Sequence, residues 1–282
     1  MNVRWLKWKI LRKARKRGFH LDLDNPKTWC EKMQWLQLYD EKNPLKTKCA
    51  DKILLHKYAE EKLGKDICVP ILKIYDSPDD LNFAELPEQF VLKCNHGYAF
   101  NIICRHKELL QENDCKKQLE KWLHKSFGKS SLEPHYRNIV PKCYAETFLE
   151  NRGKEEITDY KFICFNGVPT YVQIINDRHQ ATQRLNYYDM DFHFVDISRK
   201  YFPNNPNLLD EEPSQFEQMK SYARKLSEDF RFVRVDFYEV DGVVYLGELT
   251  FTPGTGLIRW TDDKVDVMFG EMLKLGERME NE

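Results

Sequence analysis

The chain has 282 residues, of which 41% are hydrophobic and 32% charged, a balance that excludes a disordered tail and is typical of soluble globular proteins. Its length allows one large domain or two small ones. Because 44 lysines and arginines are offset by 45 aspartates and glutamates, there is no overall basic field, and we expect no nucleic-acid partner.

The first 19 residues combine basic and aromatic side chains, including Trp5 and Trp8. One interpretation is a helix that makes peripheral contact with the anionic inner surface of the membrane. The alternative is a solvated helix whose tryptophans pack on the body of the protein. The chain shows no signal-peptide apolar region and no apolar stretch long enough to cross a membrane, so we expect a cytoplasmic protein.

Helical signals dominate the first 85 residues. Thr28 and Glu31 form a capping-box pattern, which predicts that a helix begins there. A second helix is expected over residues 50–63, and Gly64 is the residue type that ends helices.

Strand signals begin at residues 89–94, a short apolar run that enters a loop at Gly97. Asn166-Gly167 joins two further apolar runs and is the strongest short hairpin signal in the chain. Ser214 with Glu217 predicts a capped helix, and a second hairpin and a terminal helix follow. This mixture predicts an α+β fold with antiparallel sheets.

Eight cysteines are scattered through apolar stretches without any CxxC pair. We interpret them as reduced, mostly buried thiols of a cytosolic protein. Their spacing does not predict a zinc site.

Lys93 lies inside the apolar strand at residues 89–94. An unpaired ammonium is costly in such a place, so its side chain should face an anion or a carboxylate. A bound phosphate and a structural ion pair both satisfy this requirement. The loop that follows contains few glycines for a phosphate-binding loop and is weak evidence by itself.

The closing hairpin brings Arg234 and Asp236 onto one face of a strand, with Glu248 in the partner strand. A two-residue turn at 241–242 would put Glu248 on the opposite face from Asp236, whereas a three-residue loop with a bulge at Gly242 would put both on the same face. Magnesium is commonly held by oxygen ligands on neighbouring elements, so the magnesium hypothesis requires the bulged turn. Surface salt bridges are the alternative interpretation.

Several short motifs together resemble the TupA-like ATP-grasp family, which is associated with teichuronopeptide and capsular polysaccharide synthesis. The motifs are NPKT (25–28), CADK (49–52), LKCNHG (92–97), DYKF (159–162), CFNG (164–167), FVRVDF (232–237) and GELTFTP (247–253). The similarity extends from about residue 22 to the last helix and is specific as a set.

That resemblance implies the ATP-grasp fold, in which two antiparallel sheet subdomains sandwich ATP next to a helical N-terminal region. The regions would be a helical part over 1–85, a lid subdomain over 86–144 and a core subdomain with the metal hairpin over 145–282. The implied activity is an ATP-dependent carboxylate–amine ligase that acts through an acyl phosphate. It would form an amide on a uronic-acid-containing surface polysaccharide or its precursor, with an amino acid or amino sugar as the amine.

By the same resemblance, each matching position receives a role. The nucleotide phosphates would be bound by Lys93, Lys52, His96 and Gly97. Adenine and ribose would be read by a hinge with Glu146 near the adenine amine: Glu146, Thr147, Phe148, Leu149 and Glu150 or a later acid. The γ-phosphate, the acyl phosphate and the acid substrate would be held by Lys161, by Arg178 with Arg184, and by Arg234. Magnesium would be held by Asp236, Glu248 and Thr250, although Thr250 replaces the usual asparagine and is a weaker ligand.

Three other functions compete with the ligase. A glycosyltransferase would use the acidic pair Asp189 and Asp191 to hold a metal-bound diphosphate. A sugar kinase would share every nucleotide residue and differ only in its acceptor. A non-catalytic scaffold is supported by the Thr250 departure.

Overall fold

The computed structural model describes the chain in five stretches, 3–40, 44–130, 132–150, 157–176 and 183–276, with the side chains of 129 and 130 excepted. Within these stretches all eight cysteines are buried and free, as the sequence predicts. No helix in the described part of the chain is both long and apolar enough to span a bilayer.

Two compact units make up the chain. The first unit comprises Met1–Asn43, Thr158–Val244 and Leu249–Glu282, and the second comprises Pro44–Ile157 and Tyr245–Glu248. Because the units alternate along the chain, their limits do not coincide with the boundaries expected after residues 85 and 144. The division into lid and core subdomains stays a prediction.

The helices follow the sequence signals with two differences. They are α1 Val3–Lys16, α2 Trp29–Tyr39, α3 Pro44–Ala50, α4 Leu54–Leu63, α5 Glu112–Leu123, α6 Phe127–Ser130, α7 Phe216–Ser227 and α8 Lys264–Met272. The capping box of α2 forms between Thr28 and Glu31, and Gly64 ends α4 in the left-handed conformation, both as expected.

The first difference is that the helix expected over 50–63 is divided. Asp51 interrupts it because its carboxylate accepts hydrogen bonds from the backbone N–H groups of Ile53 and Leu54, which starts α4 anew. The second difference concerns α7, where the expected capping box is wrong. The Ser214 hydroxyl donates to the carboxylate of Glu239 instead of capping the helix.

Helix α1 turns Leu6, Ile10 and Ala14 inward. Trp5 and Trp8 remain 46% and 54% exposed, so the interpretation in which these tryptophans pack on the body of the protein is wrong. The helix therefore presents a basic and aromatic face to solvent.

The second unit contains a four-stranded sheet with the order β1-β4-β2-β3. Its strands are β1 Ile71–Tyr75, β2 Phe90–Cys94, β3 Asn101–Cys104 and β4 Cys143–Thr147. The pairings of β1 with β4, β4 with β2 and β2 with β3 are antiparallel. A hydrophobic cluster that includes Phe90, Leu92, Phe100 and Leu119 forms the core of this unit.

The first unit is built on a six-stranded sheet with the order β10-β9-β5-β6-β7-β8. Its strands are β5 Asp159–Phe165, β6 Val168–Asn176, β7 Arg184–Tyr188, β8 Phe194–Val195, β9 Phe232–Val240 and β10 Val243–Thr250. A large cluster joins one face of the sheet to α2 and α8, and the two antiparallel sheets confirm the expected α+β class.

Two hairpin turns have left-handed residues at both central positions. Asn166 and Gly167 have φ of 51° and 78°, which confirms the predicted hairpin between β5 and β6. Asp241 and Gly242 have φ of 50° and 75°, so the β9–β10 turn is the two-residue type. The bulged loop that the magnesium hypothesis required at this turn does not form.

Candidate functional site

In the second unit, Lys93 pairs with the carboxylate of Glu146. The two residues lie on neighbouring strands, since Val91 is directly opposite Glu146 and Lys93 is two positions further along β2. The Lys93 Nζ forms an ion pair with Glu146 Oε1, and the side chains are 22% and 9% exposed. The expectation that Lys93 faces a negative group is therefore confirmed.

Lys52 belongs to the same group of charges. Its ammonium donates a hydrogen bond of 2.8 Å to the carbonyl oxygen of Gly97. Burial lowers the pKa of Lys52, while the carboxylates of Glu248 and Glu146 raise it and Lys93 lowers it further. Glu248, Lys93 and Glu146 thus lie near enough to Lys52 to affect its charge within this unit. A phosphate can replace the Glu146 carboxylate as the partner of Lys93, because both groups are negatively charged.

The loop after β2 is held by packing. A side chain at Gly97 would place its Cβ 2.4 Å from the Phe100 ring, so only glycine fits there. His96 is buried, with Nε2 3.1 Å from the carbonyl oxygen of Trp122. Burial lowers the pKa of His96, which keeps the imidazole neutral at pH 7.

The expected hinge, Glu146 to Glu150, spans the end of β4. The backbone N–H of Thr147 donates to the carbonyl of Pro70 at 2.9 Å. The guanidinium of Arg105 lies 5.0 Å from the ring centroid of Phe148. Leu149 is half-buried, and Glu150 is exposed.

In the first unit, Lys161 and Arg234 both bind the carboxylate of Asp236. Lys161 and Asp236 are directly opposite each other on β5 and β9, and Nζ lies 2.6 Å from Oδ2. Arg234 donates from Nε to Oδ1 and from one terminal nitrogen to Oδ2, each at 2.6 Å. Asp159 adds a second carboxylate, 3.5 Å from the Lys161 ammonium. This buried two-cation, two-carboxylate group is the densest charge cluster described in this sheet.

Thr250 joins this group because of a change of phase inside β10. Leu246 and Leu249 are both buried, so the alternation of buried residues shifts by one position between them. Thr250 consequently shares the face of Arg234, which donates to the threonine hydroxyl at 3.1 Å. The one-residue shift that was expected at the turn therefore occurs within β10.

The oxygen atoms of this group fit a cation. The Arg234 guanidinium already bridges Asp236 and Thr250, so a positive group stands where both oxygens can reach it. Carboxylate and hydroxyl oxygens are hard donors of the kind that magnesium prefers. Glu248, the third proposed ligand, influences Lys52 in the second unit.

Two further predicted arginines are placed differently. Arg184 begins β7 and is directly opposite Asn176 on β6. Arg178 lies outside the described residues.

The acidic pair of the glycosyltransferase hypothesis lies in a turn. Asp189 Oδ1 accepts hydrogen bonds of 2.9 Å from the backbone N–H groups of Asp191 and His193. These bonds are local, and they explain the pair as a turn device. Asp189, Asp191 and His193 also bring their potential ligand atoms within 4.8 Å of one another, so they could hold a metal ion. Within the described stretches, a second group of this kind consists of His56, Asp66 and Cys68, which the cysteine spacing did not indicate.

Three residues on the β6–β7 side of Lys161 carry no signal in the sequence: Gln173, Tyr187 and Arg199. Gln173 is directly opposite Lys161, and Tyr187 is directly opposite Gln173. Arg199 follows β8 and donates to both of them. No local pattern signals this arrangement, because it depends on strand pairing between distant segments.

Comparisons with solved structures find ATP-grasp ligases at low similarity. D-alanine–D-alanine ligase from Bacillus anthracis, complexed with ATP, is 17% identical, with 72% of this chain and 53% of that chain covered and a TM-score of 0.40. The D-alanine–D-alanine ligase of Helicobacter pylori is 16% identical, with 80% and 61% covered and a TM-score of 0.41. The ATP-grasp ligase PsnB, complexed with minimal precursor, Mg and ADP, is 14% identical, with 79% and 57% covered and a TM-score of 0.39.

This chain therefore spans little more than half the length of these solved structures. No curated protein matches it. The sequence model of the TupA-like ATP-grasp family, in contrast, matches residues 31–274, which is most of the chain. The protein belongs to the TupA-like ATP-grasp family.

Proposed function

We propose that the protein is an ATP-dependent carboxylate–amine ligase. The observation that carries the proposal is the buried Lys161–Asp236–Arg234 group, in which two cations share one carboxylate on the face of a sheet. Burying charged groups is costly, and buried ionisable groups with specific charge partners concentrate at functional sites. This group is therefore a candidate functional site. Because the chain belongs to an ATP-grasp family, we assign the triphosphate of ATP as the ligand of that group.

Each unit contributes a set of charged residues to the proposed reaction. In the second unit, Lys93 and Lys52 bind nucleotide phosphates, with Lys93 exchanging the Glu146 carboxylate for phosphate oxygens. The adenine and ribose are bound by the segment of Glu146, Thr147, Phe148 and Leu149, while His96 and Gly97 shape the phosphate loop. In the first unit, Lys161 contacts the γ-phosphate and Arg234 orients the acid. Arg178 and Arg184 remain proposed partners of the acyl phosphate.

Magnesium would be held by Asp236, Glu248 and Thr250. When bound, ATP with magnesium would supply the phosphoryl group that converts the acid into an acyl phosphate with release of ADP, and an amine would then displace phosphate from the acyl carbon. The residues of this chain position and neutralise the reacting groups, which is the main requirement of phosphoryl transfer.

The substrates and the setting follow from the family alone. Its association with surface polysaccharides favours a uronic acid carboxylate and an amino acid or amino sugar. We place the reaction in the cytoplasm, where ATP is available and free thiols such as the eight cysteines persist.

Binding of ATP is tested by thermal unfolding. ATP with magnesium should raise the melting temperature, because a ligand at about 100 times its Kd stabilises the folded state by about 2.7 kcal/mol. UDP-sugars with manganese serve as the comparison. A shift with UDP-sugars alone, lost in Asp191→Asn, would replace the ligase by a glycosyltransferase. Phosphate release that depends on an added amine distinguishes the ligase from a kinase.

We also propose that α1 contacts an anionic membrane surface. Its 14 residues include basic side chains in every turn and no acidic one. Lys9 lies 3.6 Å from the ring centroid of Trp5, and Arg12 lies 5.2 Å from that of Trp8, so cationic and aromatic groups share the exposed face. This combination suits the interface of an anionic bilayer.

The membrane proposal predicts salt-sensitive binding to vesicles. Wild type should sediment with phosphatidylglycerol vesicles and not with phosphatidylcholine vesicles, and Trp5→Ala/Trp8→Ala should weaken the binding several-fold. Tyr201→Ala, at an aromatic residue that is 70% exposed outside α1, is the matched control and should bind as wild type does. Equal binding by the tryptophan variant and wild type would reject the assignment.

A further inference from the structure

A row of polar side chains crosses the six-stranded sheet. Asp236 is directly opposite Lys161, Lys161 is opposite Gln173, and Gln173 is opposite Tyr187. Directly opposed residues share a face, so all four side chains lie on the same side of β9, β5, β6 and β7. Gln173 and Tyr187 are only 1% and 0% exposed. Polar groups this deeply buried need hydrogen-bond partners.

Arg199 supplies those partners at the end of the row that is farthest from Asp236. Its Nε donates to the Tyr187 hydroxyl at 2.7 Å, and one terminal nitrogen donates to Gln173 Oε1 at 2.6 Å. The Tyr187 hydroxyl in turn lies 3.2 Å from Gln173 Oε1. The guanidinium also lies 5.7 Å from the ring centroid of Trp260. Arg199 is therefore oriented by hydrogen bonds to two buried side chains.

Arg199 differs from the neighbouring cations Lys161 and Arg234 in the partners of its side chain. Lys161 and Arg234 both bind Asp236, whereas the hydrogen-bond partners of Arg199 in the described stretches are two neutral oxygens. A guanidinium carries five N–H donors, and these two bonds leave others available. The side chain is half-buried, so an anion can reach it from solvent, and a charge-assisted hydrogen bond formed there is stronger than one in bulk water.

We propose that Arg199, positioned by Tyr187 and Gln173, binds a carboxylate of the acid substrate. The inference rests on the proposed ligase function and names a residue of the acid subsite. Planar, bidentate donors match the geometry of a carboxylate, and the nearby rings of Tyr187 and Trp260 favour a guanidinium over an ammonium. The row thus separates two tasks, with phosphate assigned to Lys161 and substrate anion assigned to Arg199.

The test compares carboxylates with their neutral counterparts by thermal unfolding. Glucuronate and glutamate are the probes, and glucose and glutamine are the matched neutral molecules. Wild type should be stabilised by at least one carboxylate and not by its counterpart. Arg199→Gln should weaken that apparent affinity about 10- to 100-fold, the range expected for losing hydrogen bonds between charged groups. Arg199→Lys should restore little, because it lacks the fork of donors.

Controls separate this outcome from general damage and from failure of the proposed function. Arg259→Gln changes a half-buried arginine that stacks on Phe19, and it should keep the carboxylate response. If Arg199→Gln does not fold, Tyr187→Phe removes only the hydroxyl that accepts from Arg199, and it should weaken carboxylate binding several-fold.

The ATP response should persist in every Arg199 and Tyr187 variant, since the nucleotide is assigned to other residues. An unchanged carboxylate response in Arg199→Gln, or no response of wild type to either acid, overturns the assignment. Absence of the ATP response in wild type instead overturns the ligase proposal.

Discussion

Asp236→Asn is expected to reduce ATP turnover by about 1,000-fold or more, because one carboxylate serves both as proposed magnesium ligand and as the counter-charge of two buried cations. The asparagine side chain has the same shape but leaves Lys161 and Arg234 without that charge. Removing one partner of a buried ion pair costs about 3–5 kcal/mol, so the melting temperature should fall as well. Turnover is measured as ADP release, and folding is measured by circular dichroism at the assay temperature.

The matched control for this variant is Glu239→Gln, which removes a carboxylate from the same strand. Glu239 binds Ser214 and its neighbour in the loop before α7, and we assign it no role in the reaction. Its turnover should remain within about threefold of wild type, since surface substitutions of this kind change stability little. If Asp236→Asn does not fold, Asp236→Glu, which keeps the charge, takes its place in the test. Full activity in Asp236→Asn would remove Asp236 from the site.

Lys93→Met is expected to weaken ATP binding by about 100-fold while preserving most of the fold. Methionine keeps the apolar stem of the side chain and removes the ammonium that we assign to phosphate. The loss corresponds to about 2.7 kcal/mol, the size of a strong charge-assisted contact. Isothermal titration with ATP and magnesium measures it directly.

A second variant, Glu146→Gln, separates phosphate binding from a structural ion pair. If Lys93 served only to neutralise Glu146, the two substitutions should have similar effects on stability and on ATP binding. If Lys93 binds phosphate, Glu146→Gln should lose much less ATP affinity than Lys93→Met, because the ammonium remains in place and the glutamine carbonyl oxygen can still accept from the adenine amine that we assign to position 146. Equal loss of ATP affinity in both variants would favour the structural ion pair.

The amino-acid sequence alone predicts the local features of the fold. The capping box at Thr28 and Glu31 and the turn at Asn166-Gly167 form as expected, because both depend on residues a few positions apart. It also determined that Lys93 would face a negative group, since an ammonium in an apolar strand has few other solutions. The continuous helix expected over 50–63 was wrong because the Asp51 carboxylate accepts from the nearby N–H groups of Ile53 and Leu54, and the cap expected at Ser214 was wrong because its hydroxyl donates to the distant Glu239.

The assembly of the candidate site depends instead on contacts between segments that are far apart in the sequence. Lys161 and Asp236 are 75 positions apart in the sequence, and their contact exists because β5 pairs with β9 in one particular register. The one-residue shift in alternation that turns Thr250 toward Arg234 lies within β10, where Leu246 and Leu249 are both buried, and not at the turn that precedes the strand. Arg199 reaches Gln173 and Tyr187 from an irregular segment with no periodicity to read. Strand register and long-range packing are set by the whole core at once, so no short stretch of sequence carries that information.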